Sequence, residues 1–444
     1  MLREAEPNLA QNFEKIGRQL DVGNFSHPGS VTEHSTHINP QSSEDFVKEH
    51  HCLVAMWEGL LEEIRKLPKF KYFLRPTPFH QLRQACLAGQ VIVINTCEYG
   101  VDALVFGATG PIEHVSLPDI NPETLEELSH DLIFNRPANP SGTQQRNYVT
   151  RFLKRALRTI WNDILVHIFN KMHVCFTDTA VFPQRRIWWY LTGPLTFIPI
   201  HAAGPAGGIA DVSRLVISSY ITTLGSLLQM QRKHKQVPEK QSFLGISQSE
   251  TPGQSPLRKT MEEVNNVTQV FKSSGWLEAD IICLHEQNAG VESVLCALDS
   301  CSWLHFACHG SQDSVLGMKS AFALHDGDLE LSDIASKSLS NGRFAFLSAC
   351  NAASGLSDLP GEVLHLAAGV QFAGFPSVIA TLWIIHDEDA LKVADYTYRY
   401  LFHNGLQGLD SSEAARALNY AVIHLREEPG VTLDRWAPFV HLGI

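Results

Sequence analysis

Two short apolar runs, Trp303 to Gly310 (WLHFACHG) and Phe344 to Asn351 (FAFLSACN), constrain this chain more than any other feature. Each is a string of β-compatible residues ended by small or polar ones, the pattern of a strand buried on both faces inside a parallel sheet. His309 and Cys350 fall just past the two strand ends, and the 40 residues between them are enough for the return crossover that parallel pairing requires. In an open α/β sheet the reactive groups collect beyond the carboxyl ends of the strands, where neighbouring ends lie within side-chain reach.

A histidine and a cysteine so placed have the chemistry of a base and a nucleophile. A free thiol with a pKa of about 8.5 is only about 3% thiolate at neutral pH, and an adjacent imidazole that takes or holds its proton supplies the missing activation. Gly310, lacking a side chain, lets its N–H approach a substrate carbonyl, and with the N–H of Cys350 it would form an oxyanion hole.

The blocks LHFACHG, AFLSACNAASG, GEVLHLAAGVQFAGFPSVIATLW, HDEDA and WAPFVHLG, with IWWYLTGPLTFIPIHAAG upstream, resemble the CHAT family of caspase-like cysteine proteases, relatives of caspases and separases. The resemblance covers roughly residues 56 to 444. It implies that His309 is the catalytic histidine and Cys350 the nucleophile of an endopeptidase working through a thioester acyl-enzyme, with no metal or organic cofactor. Asn351 stands where the family often has glutamine; it keeps an amide and reads as neutral for activity. Caspase-like enzymes read the residue before the scissile bond in a pocket near the nucleophile. Asp313, Asp358 and Glu362 are the acidic candidates for holding a basic side chain there, with Asn351 beside them. Glu362 serves equally well as a cap on the first turn of a following helix. The family also contains latent domains, so a scaffold or adaptor in a signalling or cell-death pathway is the alternative to a working protease. The implied partners are a protein or peptide substrate and, through the N-terminal helices, a regulatory protein.

Rival constellations are weaker. The spacing Cys301, His305, Cys308, His309 invites a zinc site, but strand alternation turns Cys308 away from both histidines, so four ligands cannot converge. Cys308 then reads as a small buried hydrophobe. Ser348 shares the face of Cys350 but lies deeper in its strand. His201 heads a faint echo of the His-Gly site, without a cysteine to match it, and packing or positioning is its better role. No G-x-G-x-x-G follows a strand, which removes a dinucleotide-binding reading.

Composition agrees with this reading. At 444 residues the chain is long enough for two or three domains, and 44% hydrophobic residues fill their cores. A formal net charge of -12 argues against nucleic acid as a partner, since that affinity rests on clustered lysine and arginine. Nine scattered cysteines in a chain of this size read as reduced thiols. With neither a secretory leader nor a long apolar run, the expected location is cytoplasmic, nuclear residence being left open, and no membrane is involved.

In order along the chain, the sequence predicts a helical, polar N-terminal extension over 1–55, a pseudo-protease-like α/β half over 56–235 and the caspase-like catalytic half over 241–444. Helices are expected at 5–20 and 43–67, around a polar linker at 23–42. Strands are expected at 91–95, 102–106, 187–191 and 195–200, and helices at 122–133 and 145–171. The basic stretch Arg232 to Lys240 reads as a solvated connector. Beyond it come strands at 243–246, 280–284 and 377–383, besides the two runs above. Helices are expected over 257–271, with Leu257, Met261, Val264, Val267 and Phe271 on one face, and over 291–298, 361–374, 387–403 and 411–427. A hairpin is expected to turn at Asp326-Gly327. Asp387 and Asp389 read as caps. The catalytic half is thus a mostly parallel, six-stranded, doubly wound sheet flanked by helices.

Overall fold

In the computed structural model the described residues are 2–25, 40–137, 142–174, 185–205, 211–236, 241–313, 317–337, 339–349 and 366–444. They form two compact units, Met1–Phe79 and His80–Ile444. The first is helical. Helices Pro7–Phe25 and Pro40–Lys66 pair through a stack of Phe13 on Trp57, with ring centroids 3.8 Å apart. Gly17 permits that approach, since a Cβ there would lie 2.9 Å from the Trp57 ring. Both helices run further into the expected linker than the apolar spacing indicated, and residues 26–39 lie outside the described residues. No described helix is long and apolar enough to cross a membrane.

The second unit is built on strands β1 (Gln90–Cys97), β2 (Gly100–Phe106), β3 (Glu113–Ser116), β4 (Arg186–Leu191), β5 (Ile217–Tyr220), β6 (Phe243–Ser247), β7 (Ile281–His285), β8 (Trp303–Ala307), β9 (His309–Ser311), β10 (Ala321–Ala323), β11 (Asp328–Glu330), β12 (Phe344–Ser348), β13 (Ser377–Thr381) and β14 (Phe439–Gly443). Eleven of them form one sheet in the order β3-β2-β1-β4-β5-β14-β13-β12-β8-β6-β7, and β11-β10-β9 form a small second sheet. Of the large sheet, the strands after residue 241 are β6, β7, β8, β12, β13 and β14. They are parallel except where β14 runs against β13. The anticipated six-stranded, mostly parallel sheet is therefore present, and it continues into the preceding half. Strands β6, β8, β12 and β13 are buried along their whole length, which is why their sequences read as unbroken apolar runs.

The seam between the halves is β14, parallel to β5 and antiparallel to β13. His441 crosses it: one ring nitrogen pairs with Ser219 Oγ on β5, and Nε2 lies 2.8 Å from Ser377 Oγ on β13. Burial holds this imidazole's pKa well below its ordinary value. A neutral ring donates from one nitrogen and accepts at the other, so one residue bonds both neighbouring strands.

Several expectations need correction. Residues 195–200 are not a strand but two short 3-10 turns, Gly193–Phe197 and Ile200–Ala202. Pro194 and Pro199 have no N–H to give a ladder. Met261 is 40% exposed, whereas Glu263 takes a buried place on the helix Thr260–Ser273. The apolar stripe is displaced because Glu263 meets a histidine inside the core. The hairpin turn falls where expected, and Asp326 Oδ1 also accepts from the N–H of Val291, capping the helix Val291–Leu298.

The basic stretch is not a solvated connector over its described part. Arg232, Lys233 and His234 form the last turn of the helix Leu224–His234, whose terminal carbonyls lack intrahelical donors. The buried Arg343 supplies them, donating to Lys233 O (3.1 Å), His234 O (2.8 Å) and Gln236 O. Lys233 Nζ donates onward to the carbonyls of Leu339 and Gly374, and His234 pairs with Asp410 at 3.1 Å. A sequence of cations looks solvent-facing, but here it clamps one half of the unit to the other. The hydrogen bond from His234 lowers the Asp410 carboxyl from 3.8 to about 2. A depressed carboxyl stabilises the folded state above its unfolded pKa and loses that contribution as pH falls through the folded value. Asp410→Asn should therefore cost about 1 kcal/mol at pH 6, the side chain being 46% exposed and screened. In denaturant titrations that deficit should shrink as pH is lowered from about 4 towards 2.

Candidate active site around His309

Strand β8 lies between β6 and β12, parallel to both, with Ser247↔Ala307 and Ala307↔Ser348 as the last registered pairs. The three carboxyl ends are level at one edge of the sheet. From Ala307 the chain passes through the buried Cys308 and leaves the large sheet at His309, which opens β9 and pairs with Ala323 in the small sheet. From Ser348, β12 passes to the buried Ala349, whose carbonyl accepts a 2.7 Å hydrogen bond from Thr381 Oγ1 on β13. Cys350 is the next residue in sequence. It lies outside the described residues, as do Asn351, Asp358 and Glu362.

His309 is 8% exposed, and its Nε2 lies 2.7 Å from the Ser255 carbonyl oxygen. A carbonyl only accepts, so Nε2 carries the hydrogen and, in the neutral ring, Nδ1 is the basic nitrogen. The position of that proton is assigned from the partner. Ser255 belongs to the loop between β6 and the helix Thr260–Ser273, at the same sheet edge. Its role escaped the sequence reading because a backbone carbonyl has no residue signature. The one available signal was the Thr-Pro-Gly and Ser-Pro turn chemistry of a loop past a strand end.

Gly310 is half-buried and paired with Phe322, whose ring stacks on Phe306 with centroids 4.3 Å apart. The aromatic stack ties the small sheet to β8 directly beneath the histidine. Asp313 is half-buried just beyond β9, its backbone N–H donating to Ser320 Oγ at 3.2 Å. The structure therefore describes His309, Gly310 and Asp313 along one short segment.

The other side chains singled out in the sequence each have a structural neighbour among the described residues. His305 points to the helical layer, where Nε2 meets Glu263 Oε1 at 3.0 Å and Nδ1 meets Tyr398 OH at 3.2 Å. Cys301 Sγ lies 3.2 Å from the Trp303 carbonyl, and burial drives its pKa up. Among the described residues no cluster of histidine, cysteine and carboxylate could hold a metal ion. His201 is buried with Nδ1 2.7 Å from Tyr220 OH, and burial lowers its pKa to about 4, leaving it neutral. Asp389 is not a simple cap: fully buried, it takes a bidentate pair from Arg435.

These strand ends and the histidine beside them define a mostly parallel α/β frame with one imidazole held by a loop carbonyl at its edge. The chain belongs to the CHAT domain family, whose model matches residues 154–444, well over half its length. Among solved structures it is similar to the Arg specific cysteine proteinase gingipain R, at 13% identity and a TM-score of 0.44, covering 80% of this chain and 77% of that one. It is also similar to the Saccharomyces cerevisiae separase-securin complex, at 10% identity and a TM-score of 0.48, covering 98% of this chain and 37% of that one. No curated protein matches the sequence.

Proposed function

We propose that this CHAT-domain chain is a cysteine endopeptidase acting through Cys350 and His309. The observation that carries the reading is the level pair of parallel strand ends, Ala307 beside Ser348, with the loop-held imidazole of His309 two residues beyond the first. The nucleophile would come two residues beyond the second, and neighbouring strands run about 4.8 Å apart. Nδ1 of His309 takes the thiol proton, and the thiolate attacks the scissile carbonyl, forming a C–S bond and an oxyanion that accepts from the N–H groups of Gly310 and Cys350. As the C–N bond breaks, the imidazolium returns its proton to the leaving amine and a thioester remains. Water, deprotonated by the same imidazole, hydrolyses the thioester and regenerates the thiol. Asp313, Asp358 and Glu362, with Asn351, are the residues proposed to shape a pocket for a basic side chain.

A second reading is a CHAT scaffold that binds proteins without cutting them, supported by the separate helical unit Met1–Phe79, which precedes the family match. A peptidyl acyloxymethyl ketone, which alkylates only an activated thiol, distinguishes the two. The protease reading expects mass-spectrometric labelling of Cys350 that disappears in His309→Ala. Failure to label under any condition, including added cell extract, supports the scaffold.

A further inference from the structure

We infer that Glu286 and the buried Glu263–His305 pair are positioning residues for His309, acting through the loop 248–259. The inference rests on the reading of His309 as the catalytic imidazole. A loop carbonyl fixes a histidine tautomer only if the loop is itself stiff, and this one is tied on both sides to β8, the strand that leads into His309.

At its root, the N–H of the buried Gln248 donates to the Ala307 carbonyl on β8 at 3.0 Å. The Glu286 carboxylate then spans the first two loop residues. Its Oε1 accepts from the N–H of Ser249 at 3.1 Å and its Oε2 from Gln248 Nε2 at 3.3 Å, and the same Nε2 reaches the Glu250 carbonyl at 2.7 Å. Glu286 holds a left-handed backbone, φ +48°, which favours glycine and costs a side-chain-bearing residue about 1–2 kcal/mol. Such strain persists where the surroundings over-determine it, and here the carboxylate has a defined task at the sheet edge. Within the loop, the N–H of Leu257 closes on the Ser249 carbonyl at 2.9 Å, making a compact ring that contains Ser255.

At the far end the loop enters the helix Thr260–Ser273, and Glu263 in its first turn is 2% exposed. With Nε2 donating to the Glu263 carboxyl oxygen, His305 Nδ1 accepts from the Tyr398 hydroxyl. Both His305 nitrogens are thereby satisfied in a single tautomer. His305 precedes His309 by four residues on the same stretch of chain. The bonds Ala307–Gln248 and His305–Glu263 thus bracket the loop, and Ser255–His309 is the third contact of the same closed circuit. A core that needed only volume here would be served at least as well by apolar side chains, because buried charged groups seldom add net stability.

The test combines a ring-nitrogen measurement with kinetics on the full chain. In protein labelled with ¹⁵N-histidine, the His309 resonances are assigned by loss in His309→Gln, and activity is followed with a mixed fluorogenic peptide library. The wild type should show a protonated Nε2. Glu286→Ala, at a half-exposed site, should keep the wild-type unfolding midpoint, shift the His309 nitrogens towards tautomer averaging and lower kcat by up to about 100-fold with little change in KM. Glu286→Gln, which retains an oxygen for Ser249, should recover most of both. Glu263→Gln, equal in volume, should shift the same His309 resonances. Folded Glu286→Ala and Glu263→Gln proteins with unchanged His309 resonances would overturn the inference. Undiminished hydrolysis by Cys350→Ala would instead remove the dyad reading, leaving the ring measurement to report on the loop alone.

Discussion

Replacing His309 with alanine is expected to lower kcat/KM for peptide hydrolysis by about 10³- to 10⁴-fold at neutral pH. Two losses combine. Without the imidazole an ordinary thiol is only about 3% ionised at pH 7, and the departing amine must take its proton from water, a step in which positioned acid–base groups contribute about 10²- to 10⁴-fold. The substitution opens little of the core, because the small sheet below is held by the Phe306–Phe322 stack rather than by the ring. Folding should therefore survive. The residual activity of His309→Ala should rise with pH, by an order of magnitude or more between about pH 7 and 9, as a free thiol ionises unaided. Activity within tenfold of wild type in His309→Ala, alongside an inactive Cys350→Ala, would show that another group handles the proton. Equal, negligible turnover by wild type and both variants would favour the scaffold.

What the sequence disclosed and what it hid divide along physical lines. Strands β8 and β12 were legible because a strand buried on both faces can hold almost nothing but apolar residues, and its end is marked where that rule stops. His309 was visible for the same reason, as a polar residue at such an end. Ser255 was not visible, because its contribution is a carbonyl that every residue possesses. Glu286 and Glu263 look like ordinary surface carboxylates in the sequence; one matters through a left-handed backbone and the other through a histidine brought to it by the fold. The basic turn at Arg232 to His234 was misread because the acceptors for its donors, Leu339 and Gly374, lie more than a hundred positions away. The stretch 195–200 was read as a strand on β-propensity, but Pro199 within it and Pro194 just before it have no N–H for a ladder.

Arg435→Ala should be among the most destabilising single substitutions on the helical side of the sheet, costing about 3–5 kcal/mol. Asp389 sits in the first turn of the helix Asp387–Leu401 with no exposed surface, and Arg435 reaches it with two parallel bonds of 2.7 and 2.5 Å. That pairing raises the Arg435 pKa, with Asp434 and Glu388 adding to the effect. Removing the guanidinium leaves a buried carboxylate without the two donors that offset its lost hydration. Arg435 lies in the short helix Leu433–Trp436 that leads into β14, the seam strand, so the damage should reach the joint between the halves. Arg435→Lys restores charge without the bidentate fork and should recover about half the loss. Asp389→Leu combined with Arg435→Leu removes both charges and should be more stable than Arg435→Ala alone, because the larger penalty belongs to the unpaired carboxylate. Urea unfolding at constant slope measures all three. An Arg435→Ala protein within 1 kcal/mol of wild type would mean that water reaches Asp389 and that the pair carries little of the fold.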